Sequence, residues 1–324
     1  MKSMKHIALV SSLCFVFGVA VAATGLAEDF PKKPIRVIIP YSAGGGTDVL
    51  ARAFQKPFEK ALGVKVLIDC IPAGATKVGT MEGMKAKPDG YTIIMMAMEA
   101  WVNYFYSKAY DTKIWEKLTA VGNLTSEPMG FIEVRADSPY KTWADLVKAG
   151  KENPGKLTCA GGGAGGATEL IFNEITKAAG IQARFVPFAG AGPTKIALLG
   201  GHVDFRSCQP TEAISMIQAG QTRGLAVSTE QRMEALPDVP TFKELGIGES
   251  ILIHRGFWGP PNMPPNIVNI IATAVEKAGK DAEFTNLAEK EFLYKVTFLS
   301  GKRMKELMSR FDEKYGPQLA ASAK

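Results

Sequence analysis

Three stretches of this chain place glycines and a small hydroxyl directly after an apolar run, two of them with an acid as well. The first is VIIPYSAGGGTDVLARAF, Val37 to Phe54. A run rich in β-branched residues stops at Pro40, then three glycines, Thr47 and Asp48 lead into a helical pattern. GKLTCAGGGAGGATELIF, Gly155 to Phe172, repeats the order of strand, glycines and helix, and ARFVPFAGAGPTKIALL, Ala183 to Leu199, repeats it again. A small-residue loop entering a helix leaves backbone N–H groups without partners. Glycine lets a ligand approach them closely, and the helix N-terminus adds partial positive charge. That combination holds an anion without Arg or Lys. Ser42, Thr47 and Thr168 add hydroxyls at the same places.

Other chemistries fit less well. No glycine is followed by the Lys-Ser/Thr pair of a phosphate-binding P-loop. Gly161, Gly163 and Gly166 match G-x-G-x-x-G after a strand, but the next strand, ARFVPF, ends without the acid that would hold a ribose. A strand-to-helix nucleophile elbow, G-x-S-x-G, is absent from the sequence. Asp48, Glu99, Glu169 and Asp204 could meet at a cleft, and paired carboxylates invite a hydrolase reading. Asp48 and Glu169 also have the ordinary role of first-turn acids that complement a helix dipole. Asp204 can satisfy loop N–H groups. Three histidines, His6, His202 and His254, are too scattered for a zinc site, and neither metal nor cofactor is expected.

The elements that position the loops read as α/β. The 324 residues suit two domains. IRVIIP, VKVLIDC and TIIMMAM are strands separated by a helix from about Thr47 towards Leu62, with Pro57 a break or kink, and by a short helix at MEGMKAK. This β-α-β-α-β order predicts a parallel, doubly wound sheet. A second unit, 129–250, begins with GFIEV and a helix capped by Thr142. It continues through the second and third glycine loops to the strands HVDFRSC and RGLAVS. Two helices after it, in NIVNIIATAVEKAGKD and KRMKELMSRFDEKYG, show three- and four-residue apolar spacing. They are expected to return to the first unit, giving a discontinuous domain of 28–128 plus 251–324. Open α/β sheets bind ligands beyond the carboxyl ends of their strands, where all three loops lie.

Lys2 and Lys5 precede a 16-residue apolar run, Ile7 to Ala22, too short to span a bilayer. Small residues follow, so 1–27 reads as a signal peptide cleaved after Ala22 or Ala27, and the mature protein as exported to the periplasm. The formal charge of +6 falls to +4 without Lys2 and Lys5, and no basic run of nucleic-acid type is present. Cys14 leaves with the leader, and Cys70, Cys159 and Cys208 remain. If a disulfide forms, Cys159–Cys208 is the expected pair, both lying near strand ends; three buried free thiols are expected at least as readily.

Several strings resemble one family. KPIRVIIPYSAGGGTDVLAR, KPDGYT, VPFAGAGPTKIALLGGHVD and LPDVPTFKELG are similar to signatures of the substrate-binding proteins of tripartite tricarboxylate transporters, the Bug family, over nearly the whole mature chain. The resemblance implies a two-domain periplasmic binding protein-like (type II) fold with a ligand cleft between two doubly wound sheets. It implies a monomer without catalysis that delivers a small carboxylate to a membrane permease; a sensor presenting the same closed form to a membrane signalling protein is the alternative. Carried over by motif, the first-domain site is Tyr41, Ser42, Ala43, Gly44, Gly45, Thr47 and Asp48. The second-domain site is Gly162, Gly163, Gly165, Gly166 and Thr168, with Ala189, Gly190 and Asp204. The chain departs from the family pattern at Gly166, where a hydroxyl is missing, and at Glu169, where an acid replaces a histidine. Glu99, Trp101 and Glu169 are expected near the cleft. An acid there would favour a ligand with a hydrogen-bond donor besides its carboxylate, and Trp101 would cover an apolar part.

Overall fold

The computed structural model describes residues 30–74, 76–106, 108–162, 166–188 and 190–322. The expected leader, 1–27, and the site residues Gly163, Gly165 and Ala189 lie outside the described residues.

The chain opens with β1 (Ile35–Ile39), α1 (Gly46–Leu62), β2 (Val66–Cys70), α2 (Lys77–Lys85), β3 (Thr92–Ala97), α3 (Glu99–Tyr106), α4 (Ile114–Lys117) and β4 (Thr119–Pro128). It crosses at Met129–Gly130 into β5 (Phe131–Arg135), α5 (Trp143–Glu152), β6 (Leu157–Gly162), α6 (Ala167–Ala179), β7 (Ala183–Phe188), α7 (Ala191–Leu199), β8 (Phe205–Cys208), α8 (Pro210–Gln218) and β9 (Thr222–Val227). After a second crossing it returns as β10 (Leu252–Gly259), α9 (Pro265–Gly279), α10 (Ala282–Asn286), β11 (Lys295–Val296) and α11 (Gly301–Ser322).

Two sheets result, ordered β11-β4-β10-β3-β1-β2 and β7-β6-β8-β5-β9. The α/β class and the two-sheet, type II-like binding-protein fold agree with the sequence. The sheets are mixed rather than wholly parallel. In the first, β1 runs parallel to β2 and β3, and β10 lies antiparallel between β3 and β4. In the second, β6 runs parallel to β7 and β8, whereas β5 is antiparallel to β8 and β9. β5 and β10 are each the first strand after a crossing, and the short β11 also runs antiparallel to β4. A chain arriving from the other sheet enters in the opposite sense to the βαβ units already there.

α1 continues unbroken through Pro57, because its apolar stripe is held on both sides of the lost N–H. Phe54 and Phe58 stack at 5.1 Å, and Phe257 of β10 and Phe284 of α10 lie 5.8 and 5.0 Å from Phe54. Each such ring buries enough apolar surface for its loss to cost about 3–5 kcal/mol. The cluster fixes α1, and with it the first glycine loop, on the sheet. Thr142 caps α5 in a complete capping box with Asp145. α9 packs on α1 and β4, and α11 on α3, α4 and β4, its far end also reaching α6.

The crossings are tied together. The Met129 N–H donates to Ile251 O at 2.8 Å, and Ser228 N–H to Gly130 O at 2.9 Å. Ser228 Oγ donates to Ile251 O and accepts from the Gly130 N–H, both at 2.8 Å. Between Ser228 and Ile251, the string LPDVPTFKELG folds onto the second sheet. Leu236, Val239 and Phe242 are buried there, and Glu244 accepts from the Thr241 N–H at 2.7 Å.

Candidate functional site

The first loop begins where Pro40 ends β1 and closes as a turn in which the Gly45 N–H donates to Ser42 O at 3.2 Å. Gly44 has φ +79°, a conformation that glycine adopts freely and other residues rarely. Ser42, Ala43 and Gly44 are exposed, and Tyr41 and Gly45 half-buried. Gly45 is the N-cap of α1 with no side chain capping the first turn, so first-turn N–H groups remain for an outside acceptor.

Asp48 and Thr47 face inward instead. The Asp48 carboxylate accepts from the Gly44 N–H at 2.7 Å, from Arg52 Nε at 2.9 Å and from the Cys70 thiol at 3.2 Å. Burial works against its charge, but the Gly44 N–H, Arg52 and Cys70 outweigh burial and hold its pKa below the ordinary aspartate value. Asp48 therefore shapes the loop from behind. The Thr47 hydroxyl accepts from Arg255 Nε at 3.2 Å.

On the second sheet, α6 and α7 start from Gly166 and Gly190, again without a side-chain cap. Gly190 has φ +102°. A Cβ added at Gly162 would come within 3.7 Å of Gly190 Cα, so the second and third loops adjoin. The Thr168 hydroxyl turns back to donate to Gly162 O at 3.3 Å, and Ser207 Oγ donates to Thr168 O at 2.9 Å. The carboxyl ends of both sheets approach at the end of β4 and the start of α8, where Glu127, Pro128, Leu293, Gln209, Pro210 and Thr211 line a narrow gap.

Three expectations need correction, and of the two readings of the cysteines the free thiols hold. Trp101 does not cover the cleft: it is 0% exposed, edge-on to Trp258 at 5.1 Å, with its indole N–H donating to Thr80 Oγ1 at 3.4 Å. α3 turns that face into the core. Glu99 stands at the head of α3 but is taken up by β10, accepting from the His254 N–H at 2.9 Å and lying 2.5 Å from its Nδ1. Asp204 precedes β8, and its carboxylate accepts from the Thr158 N–H and Oγ1, each at 2.8 Å. In a parallel pair that is the amino edge, some 13 Å from Gly162 at the strand's other end. Cys159 and Cys208 are free thiols, as is Cys70. Cys159 lies opposite Phe205, three residues from Cys208, so the register keeps the sulfurs apart.

A buried group under the first loop carried no motif. Arg255 of β10 is ion-paired with Glu127 of β4 and lies 4.7 Å from the Tyr294 ring centroid. Burial disfavours the Arg255 charge, but Glu127 more than offsets it and the pKa is raised. Burial pushes the Tyr294 hydroxyl up, keeping it neutral. The available signal was the pair His254-Arg255 inside the apolar string ILIHRGFWG, since a charge in a buried strand requires a partner.

A family model for the tripartite tricarboxylate transporter family receptor matches residues 50–309. A UPF0065 protein encoded in the gbd 5′ region of Cupriavidus necator is 35% identical over 263 residues, 80% of this chain and 78% of that protein. A TctC solute-binding protein from Polaromonas, solved without ligand, superposes with a TM-score of 0.79 at 29% identity, covering 88% of this chain and 97% of that one. MatC from Rhodopseudomonas palustris, solved with bound malate, shares the fold at TM-score 0.69 and 22% identity, covering 91% of this chain and 100% of that one.

Proposed function

The chain belongs to the tripartite tricarboxylate transporter family of receptors, and on that premise we propose that it captures a small carboxylate between its two sheets in the periplasm and delivers it to a membrane permease. The domains of this reading are 28–128 with 251–324, and 129–250. The observation that carries it is that α1, α6 and α7 all begin at glycines without a side-chain cap, each following a strand. These ends supply N–H donors and partial positive charge to an anion. Ser42, Ala43, Gly44 and Gly45 hold one side of the carboxylate, and Gly162, Gly166 and Gly190 the other. The malate held by MatC is an example of such a ligand in the same fold.

No helix among the described residues is long and apolar enough to cross a membrane. Binding without turnover is the expected behaviour. Thermal melts of the chain from Glu28 onward, with L-malate, succinate, citrate, adipate, L-aspartate and nicotinate, test the reading. A carboxylate binding only the folded state raises Tm, by about 2.7 kcal/mol of added stability at a hundredfold excess over Kd. A shift with NAD or ATP and none with a carboxylate would overturn it.

A further inference from the structure

Arg255 lies where the first glycine loop meets the two strands that cross between the sheets. Its Nε donates to Thr47 Oγ1, one residue inside the start of α1, at 3.2 Å. Its Nη1 is ion-paired with Glu127, the last residue before Pro128 at the end of β4. β4 leaves the first sheet there, and the next N–H, that of Met129, bonds Ile251 at 2.8 Å in the second crossing. Arg255 itself stands four residues beyond Ile251. A β-bulge between Arg255 and Gly256 re-aims the strand at this point. Arg255 and Glu127 are 8% and 4% exposed, so water does little to screen them.

We propose that Arg255 is a positioning residue which, through Thr47 and Glu127, sets the first glycine loop against both crossings, so that loop and crossings change together. As it concerns ligand, this rests on the carboxylate reading above. A Cβ on Gly46 would lie 2.6 Å from the Tyr294 hydroxyl and 4.0 Å from Arg255 Nη2, so both side chains back the first turn of α1, and an anion held at that turn lies in the field of the cation that also holds Glu127. Charge drawn towards the loop is charge withdrawn from the point where β4 leaves its sheet. By reciprocity, closing the crossings alters anion affinity by the same factor.

Hydrogen–deuterium exchange of the unliganded protein tests the linkage without any ligand. Thr47→Val keeps the shape and removes the acceptor, and Thr47→Ser restores it. Peptides covering 128–131 and 250–256 are expected to exchange about tenfold faster in Thr47→Val and Arg255→Lys, the scale of one hydrogen bond to a charged group. In Thr47→Ser they should match the wild type. Thr47→Val exchanging like the wild type at the crossings would overturn the proposal. So would an equal acceleration across α5, 143–152, which packs with the second sheet away from Thr47 and Arg255, because that is general loss of stability. L-malate supplies the second arm: in a wild type that binds it, malate slows exchange at the crossings, and it fails to do so in Thr47→Val. A wild type that binds no member of the carboxylate panel sinks the ligand reading, while the exchange rates still decide the linkage.

Discussion

Removing Arg206 gives the sharpest test of how the second sheet is held. Arg206 of β8 and Glu133 of β5 are register partners across an antiparallel pair, both 0% exposed, with Nε and Oε1 2.6 Å apart. Glu212 of α8 stands 3.8 Å from Nη2, and the Cys208 thiol donates to Glu133 at 3.6 Å. Arg206→Met fills similar volume but leaves two acids beside one another without a cation. Breaking a buried pair from one side costs about 3–5 kcal/mol, whereas replacing both partners by apolar residues is about neutral or better. Arg206→Met/Glu133→Leu should therefore recover most of the loss. The mechanism also fixes a sign. Burial raises the Glu133 carboxyl, and in Arg206→Met the opposing pull of Arg206 is gone. A group whose folded pKa is raised has its full stability below the unfolded value of about 4.3 and loses it as pH rises towards the folded pKa. Urea unfolding followed by far-ultraviolet circular dichroism should then show Arg206→Met less destabilised at about pH 5 than at about pH 8. A loss that is flat with pH, or a double variant as unstable as the single, would refute the argument.

Two further outcomes separate shaping residues from contact residues. Trp101→Leu should cost several kcal/mol, on the scale of about 3–5 for a buried aromatic, and Asp204→Asn about 1–3 through the unsatisfied Thr158 donors; calorimetric titration with a bound carboxylate should find affinity unchanged in both, and a tenfold loss in either would restore that residue to the site. Asp48 has its pKa depressed in the folded state, so its stabilisation is complete above the unfolded value of about 3.9 and lost as pH falls through the lower folded one. The acid-side decline in Tm should be shallower in Asp48→Asn than in the wild type, and superimposable acid limbs would contradict the bonds drawn to Gly44 and Arg52.

The parts of this molecule that could be read from sequence are those whose cause is local. Glycine loops between an apolar strand and a helical pattern declare themselves because conformation and small size are properties of the residues there. Thr142 declares itself as a cap because its partner, Asp145, is three residues away. β10 did not, because its charges make sense only beside Glu99 and Glu127, contributed by α3 and β4. Asp204 was misplaced for a reason the sequence did contain. In parallel βα units the glycine loops follow strands, so an acid that precedes a strand sits at the opposite edge, and only residues after a strand end belong to the crevice. The string LPDVPTFKELG, specific as it is, packs on the second sheet between the crossings, whereas the loops that suit an anion are built largely of glycine and alanine. Specific side chains in this fold are thus spent on holding backbone in place, at Asp48, Ser228, Glu244 and Arg255. On the proposed reading, the groups left to meet a ligand are N–H donors that any sequence would supply, once those side chains have set their direction.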